Sequence, residues 1–85
     1  MNKAFLDVRS KDEFFIDGIA GSLNIPHTEI MNSLDLIPDD REVLVYCQTG
    51  NRSNIVSRVL ERLGFNAVDI KTIRCATNMW EYENR

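Results

Sequence analysis

The chain has 85 residues, 44% hydrophobic and 27% charged, with a formal net charge of −3. That length reads as one domain over residues 1–85 with a modest core, since so short a chain buries only about 60% of its unfolded surface. Ten Lys and Arg are scattered among thirteen acidic residues with no basic stripe, which argues against nucleic acid as a partner. No apolar stretch nears the ~20 residues of a membrane span, so no membrane association is expected. One His and no Cys-x-x-Cys spacing offer no metal site, and no cofactor is expected. Cys47 and Cys75 stand in unrelated contexts and do not suggest a disulfide framework. Met1–Asp7 lacks the apolar core of a signal peptide, so a cytoplasmic location is expected. A periplasmic protein whose leader had been removed would read the same way.

In chain order, Ala4–Val8 reads as a first strand. Ser10-Lys11-Asp12-Glu13 is a capping box, with Ser10 as N-cap and Glu13 at the third helical position. The short helix it opens runs through Phe14, Phe15 and Ile16 and stops at Asp17-Gly18. Leu23–Ile25 is a short strand closed by Pro26. A short helix over Glu29–Leu34 buries Ile30, Met31 and Leu34, and Pro38-Asp39-Asp40 is a turn. Val43–Tyr46 is an unbroken apolar run, the pattern of a strand covered on both faces. Ile55, Val56, Val59, Leu60 and Leu63 then form a helical stripe, with Gly64 as its C-terminal cap. Phe65–Ile70 is a last strand, and Ile73, Ala76, Met79 and Trp80 suggest a closing helix. Strands alternating with helices predict an α/β fold, a small, mostly parallel sheet with helices on both faces. Ligand sites in such sheets lie beyond the carboxyl ends of the strands, where Cys47 falls.

The chemistry concentrates in Cys47-Gln48-Thr49-Gly50-Asn51-Arg52-Ser53. A lone cysteine ends a central strand and faces the start of a helix, where unpaired N–H groups and the helix dipole favour thiolate over thiol. Gly50 lets the backbone wrap around the sulfur. The N–H groups of Gln48, Thr49, Gly50, Asn51, Arg52 and Ser53 then form an anion-binding nest. Arg52 adds a planar, fixed positive charge for an anionic substrate. Ser53 can donate to the sulfur or cap the helix. Cys47 is the candidate nucleophile, and residues 48–53 are the candidate substrate-binding loop. The competing reading of Cys47, an inert core thiol, is weaker beside the glycine loop and Arg52.

This loop resembles the active-site loop of the rhodanese (thiosulfate sulfurtransferase) family, in its short single-domain form. Leu6-Asp7-Val8-Arg9, Glu13-Phe14 and Gly21-Ser22-Leu23-Asn24-Ile25-Pro26 are similar to that family's other motifs and occur in the same order. The resemblance reaches to about Ile70. It implies that a Cys47 thiolate takes the outer sulfur of a small anionic donor such as thiosulfate, releasing sulfite. The Cys47 persulfide then passes its sulfur to cyanide in an assay, or to a thiol or protein acceptor in a cell. The resemblance also implies that Arg9 pairs with Glu13 and that Asp7 organises the sheet edge near the loop.

Two other functions compete. A persulfide carrier or regulatory module would turn over thiosulfate poorly. A small phosphatase or arsenate reductase is disfavoured because four residues separate Cys47 from Arg52, whereas the resemblance implies that those related folds use five. The family's Gly-Gly stretch after the last strand is replaced by Thr72-Ile73-Arg74-Cys75-Ala76, so the pocket rim is expected to differ. Cys75 reads more simply as a small buried apolar residue than as a relay for the persulfide. Trp80 and the Phe14/Phe15 pair read as core, and His27 as a surface residue.

Overall fold

The computed structural model describes residues 3–84. Apolar residues alternate sides along two neighbouring strands, and this organises the molecule. Strand β1 (Lys3–Asp7) is followed by helix α1 (Lys11–Asp17) and strand β2 (Leu23–Asn24). Strand β3 (Glu42–Cys47), helix α2 (Asn51–Arg62), strand β4 (Ala67–Thr72) and helix α3 (Ile73–Glu83) complete the order. The four strands form one sheet in the order β2-β1-β3-β4, with every pairing parallel. Val43, Val45 and Cys47 face one side with Leu6, Val8, Val56 and Leu60. Leu44 and Tyr46 face the other with Phe5 and Ala76. Helix α2 thus covers one face and α3 the other, the predicted α/β arrangement. The chain adds β2 on one side of β1 and β3 on the other. The crevice at this switch lies beyond the ends of β1 and β3, next to Arg9 and Cys47.

Several boundaries differ from the sequence reading. The Glu29–Leu34 helix is instead two 3-10 segments, His27–Asn32 and Leu34–Leu36, broken at Ser33. They bury Ile30 and leave Met31 exposed. The last strand runs over Ala67–Thr72 instead of Phe65–Ile70. Gly64 takes a left-handed φ of 97°, and the Phe65 N–H closes the helix end on the Leu60 carbonyl at 3.0 Å. Phe65 is therefore part of the stop signal, and the strand starts later. It then passes a bulge opposite Val45/Tyr46 and continues until Thr72 pairs with Cys47.

Helix α1 departs most from expectation. Its capping box is present: the Ser10 side chain accepts the Glu13 N–H, and Glu13 accepts the Ser10 N–H at 2.9 Å. Yet α1 has no buried residue, and Phe15 is 90% exposed, so the Phe14/Phe15 pair is not core. Charges hold the helix instead. Asp17 accepts from Arg9 at 2.8 Å, and Glu13 takes both arms of Arg52 at 2.9 and 3.1 Å.

Two predictions follow from this packing. Leu60→Ala, at a fully buried position, should cost about 3 kcal/mol, and Phe15→Ser should stay within about 0.5 kcal/mol of wild type, both read by urea unfolding. The Arg52 guanidinium, with help from Ser10, holds the Glu13 carboxyl down from 4.5 to about 2. A carboxyl depressed on folding stabilises fully above its unfolded value, and that stability fades as pH falls through the folded value. Wild type should therefore lose stability between pH 4.5 and about 2 more steeply than Glu13→Gln. Equal slopes in urea unfolding across that window would mean that the ion pair contributes nothing.

Candidate functional site

Burial of β3 carries Cys47 to the floor of the site, where the residue is 0% exposed. The chain then turns at Gly50, whose φ of 96° is left-handed, and enters α2. The turn aims donors at the sulfur: the Gly50 N–H lies 3.0 Å from Cys47 Sγ and the Ser53 N–H 3.3 Å. Burial works to raise the thiol's pKa. The Ser53 side chain and the N–H groups of Ser53, Gly50 and Thr49 outweigh burial, and the thiol lies below its ordinary value. Arg52 feels the sulfur's charge as well, so its own charge favours the thiolate.

The loop residues read from the sequence sit around this sulfur in distinct ways. Gly50 and Ser53 donate to it. Thr49, Gly50 and Asn51 line an open groove of about 530 Å³ beside the loop, whose far wall is Asp69 and Lys71. The Gln48 side chain turns the other way and accepts from Arg9 at 3.0 Å. Arg52 is half-buried and bound through two nitrogens to Glu13.

The expected Arg9–Glu13 pair is therefore corrected. Arg9 is 1% exposed and bonds Asp7 through Nε and Nη2, Asp17 through Nη1, and Gln48. Glu13 lies one helical turn before Asp17, where it closes the capping box and meets Arg52. Burial alone disfavours the charge on Arg9, and the bonds from Asp7 and Asp17 more than offset it. Asp7 is fully buried and serves as the counter-ion beneath the loop.

Cys75 is also corrected: it is exposed, in the first turn of α3. Ala76 fills the core in its place, because the stripe Ile73, Ala76, Met79 and Trp80 leaves Cys75 off the buried side. Hydrogen bonding with Thr72 lowers the Cys75 thiol's pKa, and Lys71 and Arg74 add to this.

The sequence reading passed over Asp69 and Lys71. Lys71 has a left-handed φ of 71°, rare for a residue with a side chain. The Asp69 carboxylate holds this turn by accepting the Lys71 N–H at 2.9 Å. Glycine would make this turn at no cost, and here lysine makes it, so no glycine marked the turn in the sequence.

A rhodanese-like domain model matches residues 1–81. A tRNA sulfurtransferase from Desulfurococcus amylolyticus is 32% identical over 66 residues, 78% of this chain and 13% of that protein. The thiosulfate sulfurtransferase PspE of Escherichia coli is 28% identical over 67 residues, 76% of this chain and 64% of that protein. The chain thus spans about an eighth of the first relative and somewhat under two thirds of the second. Among solved structures, a rhodanese-related protein from Thermoplasma volcanium superposes with a TM-score of 0.77 at 35% identity, covering 84% of this chain and 70% of the other. By its fold, its loop and these likenesses, the chain belongs to the rhodanese-like domain family.

Proposed function

We propose that the chain moves sulfane sulfur from thiosulfate, or a donor of the same kind, to a thiophilic acceptor through a persulfide on Cys47. One observation carries this reading: a buried thiol that accepts backbone N–H groups inside a loop at the start of α2. In the first step the Cys47 thiolate attacks the donor's terminal sulfur. A new S–S bond forms, the bond to the sulfonate sulfur breaks, and sulfite leaves with the electron pair. The loop N–H groups stabilise the sulfur's negative charge before attack. Because Cys47 is fully buried, a narrow terminal sulfur suits the loop better than a tetrahedral phosphate. In the second step the acceptor attacks the outer sulfur, and the Cys47 thiolate leaves.

Arg52 is the proposed contact for the donor's oxygens. Its two terminal nitrogens are already bound to Glu13, so a small anion meets a guanidinium that is partly neutralised. This observation favours a second reading, in which the sulfur arrives from a protein persulfide and the domain works as a carrier. Fast loading from a protein persulfide with slow turnover of thiosulfate would select it.

Intact-protein mass spectrometry tests the covalent step. Thiosulfate should add one sulfur atom to wild type, and cyanide should remove it. Cys47→Ser should gain nothing, and a sulfur adduct on that variant would refute the nucleophile. Cys75→Ser should load like wild type. Arg52→Ala should raise the KM for thiosulfate about tenfold, the scale of one lost charge-assisted hydrogen bond. An unchanged KM would remove Arg52 from donor binding and support the carrier reading.

A further inference from the structure

Ser53 has one hydroxyl proton and several acceptors within reach. Its Oγ lies 2.7 Å from Asp69 Oδ1 and 3.2 Å from the carbonyl oxygens of Gly50 and Lys71. Cys47 Sγ is 3.5 Å away, with the thiol as donor to Ser53 Oγ. The shortest of these contacts is to a carboxylate, and charge-assisted bonds are about twice as strong as neutral ones. The hydroxyl therefore donates to Asp69, and Ser53 shows the sulfur a lone pair. That arrangement suits a thiol, which can donate. A thiolate needs the hydroxyl to turn and donate to it. The hydroxyl must then leave Asp69, which keeps the Lys71 N–H at 2.9 Å and the Asn54 amide at 3.4 Å.

We propose that Asp69, acting through the Ser53 hydroxyl, sets how readily Cys47 ionises and is a positioning residue for the nucleophile. The loop N–H groups, Arg52 and the Ser53 hydroxyl when it turns to the sulfur favour the thiolate, and Asp69 competes for that hydroxyl. Such opposition has a chemical use. Thiolate nucleophilicity falls as the thiol becomes more acidic, so the best attacking sulfur is one whose ionisation is held near ambient pH.

The charged groups around the sulfur come from four elements. Arg52 on α2 is paired with Glu13 on α1, and Arg9 after β1 is held by Asp7 and Asp17. Asp69 and Lys71 come from β4. Asp69 differs from the other carboxylates in being bonded to a side chain that touches the sulfur. The sequence places it on the sheet face shared with Val45, turned toward the first turn of α2.

The proposal rests on Cys47 being the nucleophile, but its test reads the thiol itself, so either idea can fail alone. In a Cys75→Ser background, ultraviolet thiolate absorbance is followed against pH, with the Cys47→Ser, Cys75→Ser protein subtracted. Asp69→Asn should move the Cys47 titration to lower pH, raising the thiolate fraction up to tenfold below the midpoint. Ser53→Ala should change that fraction by less than about threefold, because Asp69 already holds most of the hydroxyl's donation. Adding Asp69→Asn to Ser53→Ala should then have little further effect. An unmoved or raised midpoint in Asp69→Asn overturns the proposal. So does a tenfold loss of thiolate in Ser53→Ala, which keeps the test alive should Asp69→Asn fail to fold. An Asp69→Asn effect of full size without the Ser53 hydroxyl also overturns it, since charge alone would then be acting.

Discussion

A guanidinium can be buried only where anions and acceptors meet it, and Arg9 is 1% exposed. Asp7, Asp17 and Gln48 answer that demand from three directions: the end of β1, the last turn of α1 and the loop after Cys47. Each partner is thereby fixed. The Asp7 carboxylate also accepts the Arg9 N–H at 2.9 Å, which bends the chain as it leaves the sheet. Gln48 is drawn away from the sulfur, so the residue next to the nucleophile serves as an anchor for the loop. Buried charge here stabilises less than it specifies, because one arrangement satisfies all the partners at once.

Around Cys47 the structure balances opposed effects. Burial favours the thiol. The loop N–H groups and Arg52 favour the thiolate. Arg52 is shared in the same way, since the carboxylate that fixes its position also neutralises part of its charge. A site of this kind gains preorganisation and gives up raw attraction for free anions.

Much of this was legible in the sequence, for identifiable reasons. Val43–Tyr46 and the Val56/Leu60 stripe read correctly because apolar periodicity is set by burial, and both are core. Ser10-x-x-Glu13 read correctly because a capping box is local chemistry. Phe15 misled because an aromatic residue beside a cap implies a buried face, and α1 has none. The end of β4 was hidden because Asp69, Lys71 and Thr72 break an apolar pattern. Their place is set by pairing with Val45, Tyr46 and Cys47 and by hydrogen bonds to α2, which no local window contains. The ion pairs were half legible: the charged residues stood out, but which cation met which carboxylate depended on how α1 sits over the site.

Helix α1 is joined to the rest of the domain through Arg9–Asp17 and Arg52–Glu13, without a buried side chain of its own. Asp17 and Glu13 are partly open to solvent, so both links are subject to ionic screening, which the apolar core does not feel. Ionic strength therefore acts on the two halves of the molecule differently. Added salt loosens α1 ahead of the sheet and at the same time frees Arg52 from its carboxylate. The helix becomes a cover whose grip depends on the electrolyte, and amide hydrogen exchange confined to α1 as salt rises is the observable that reads it.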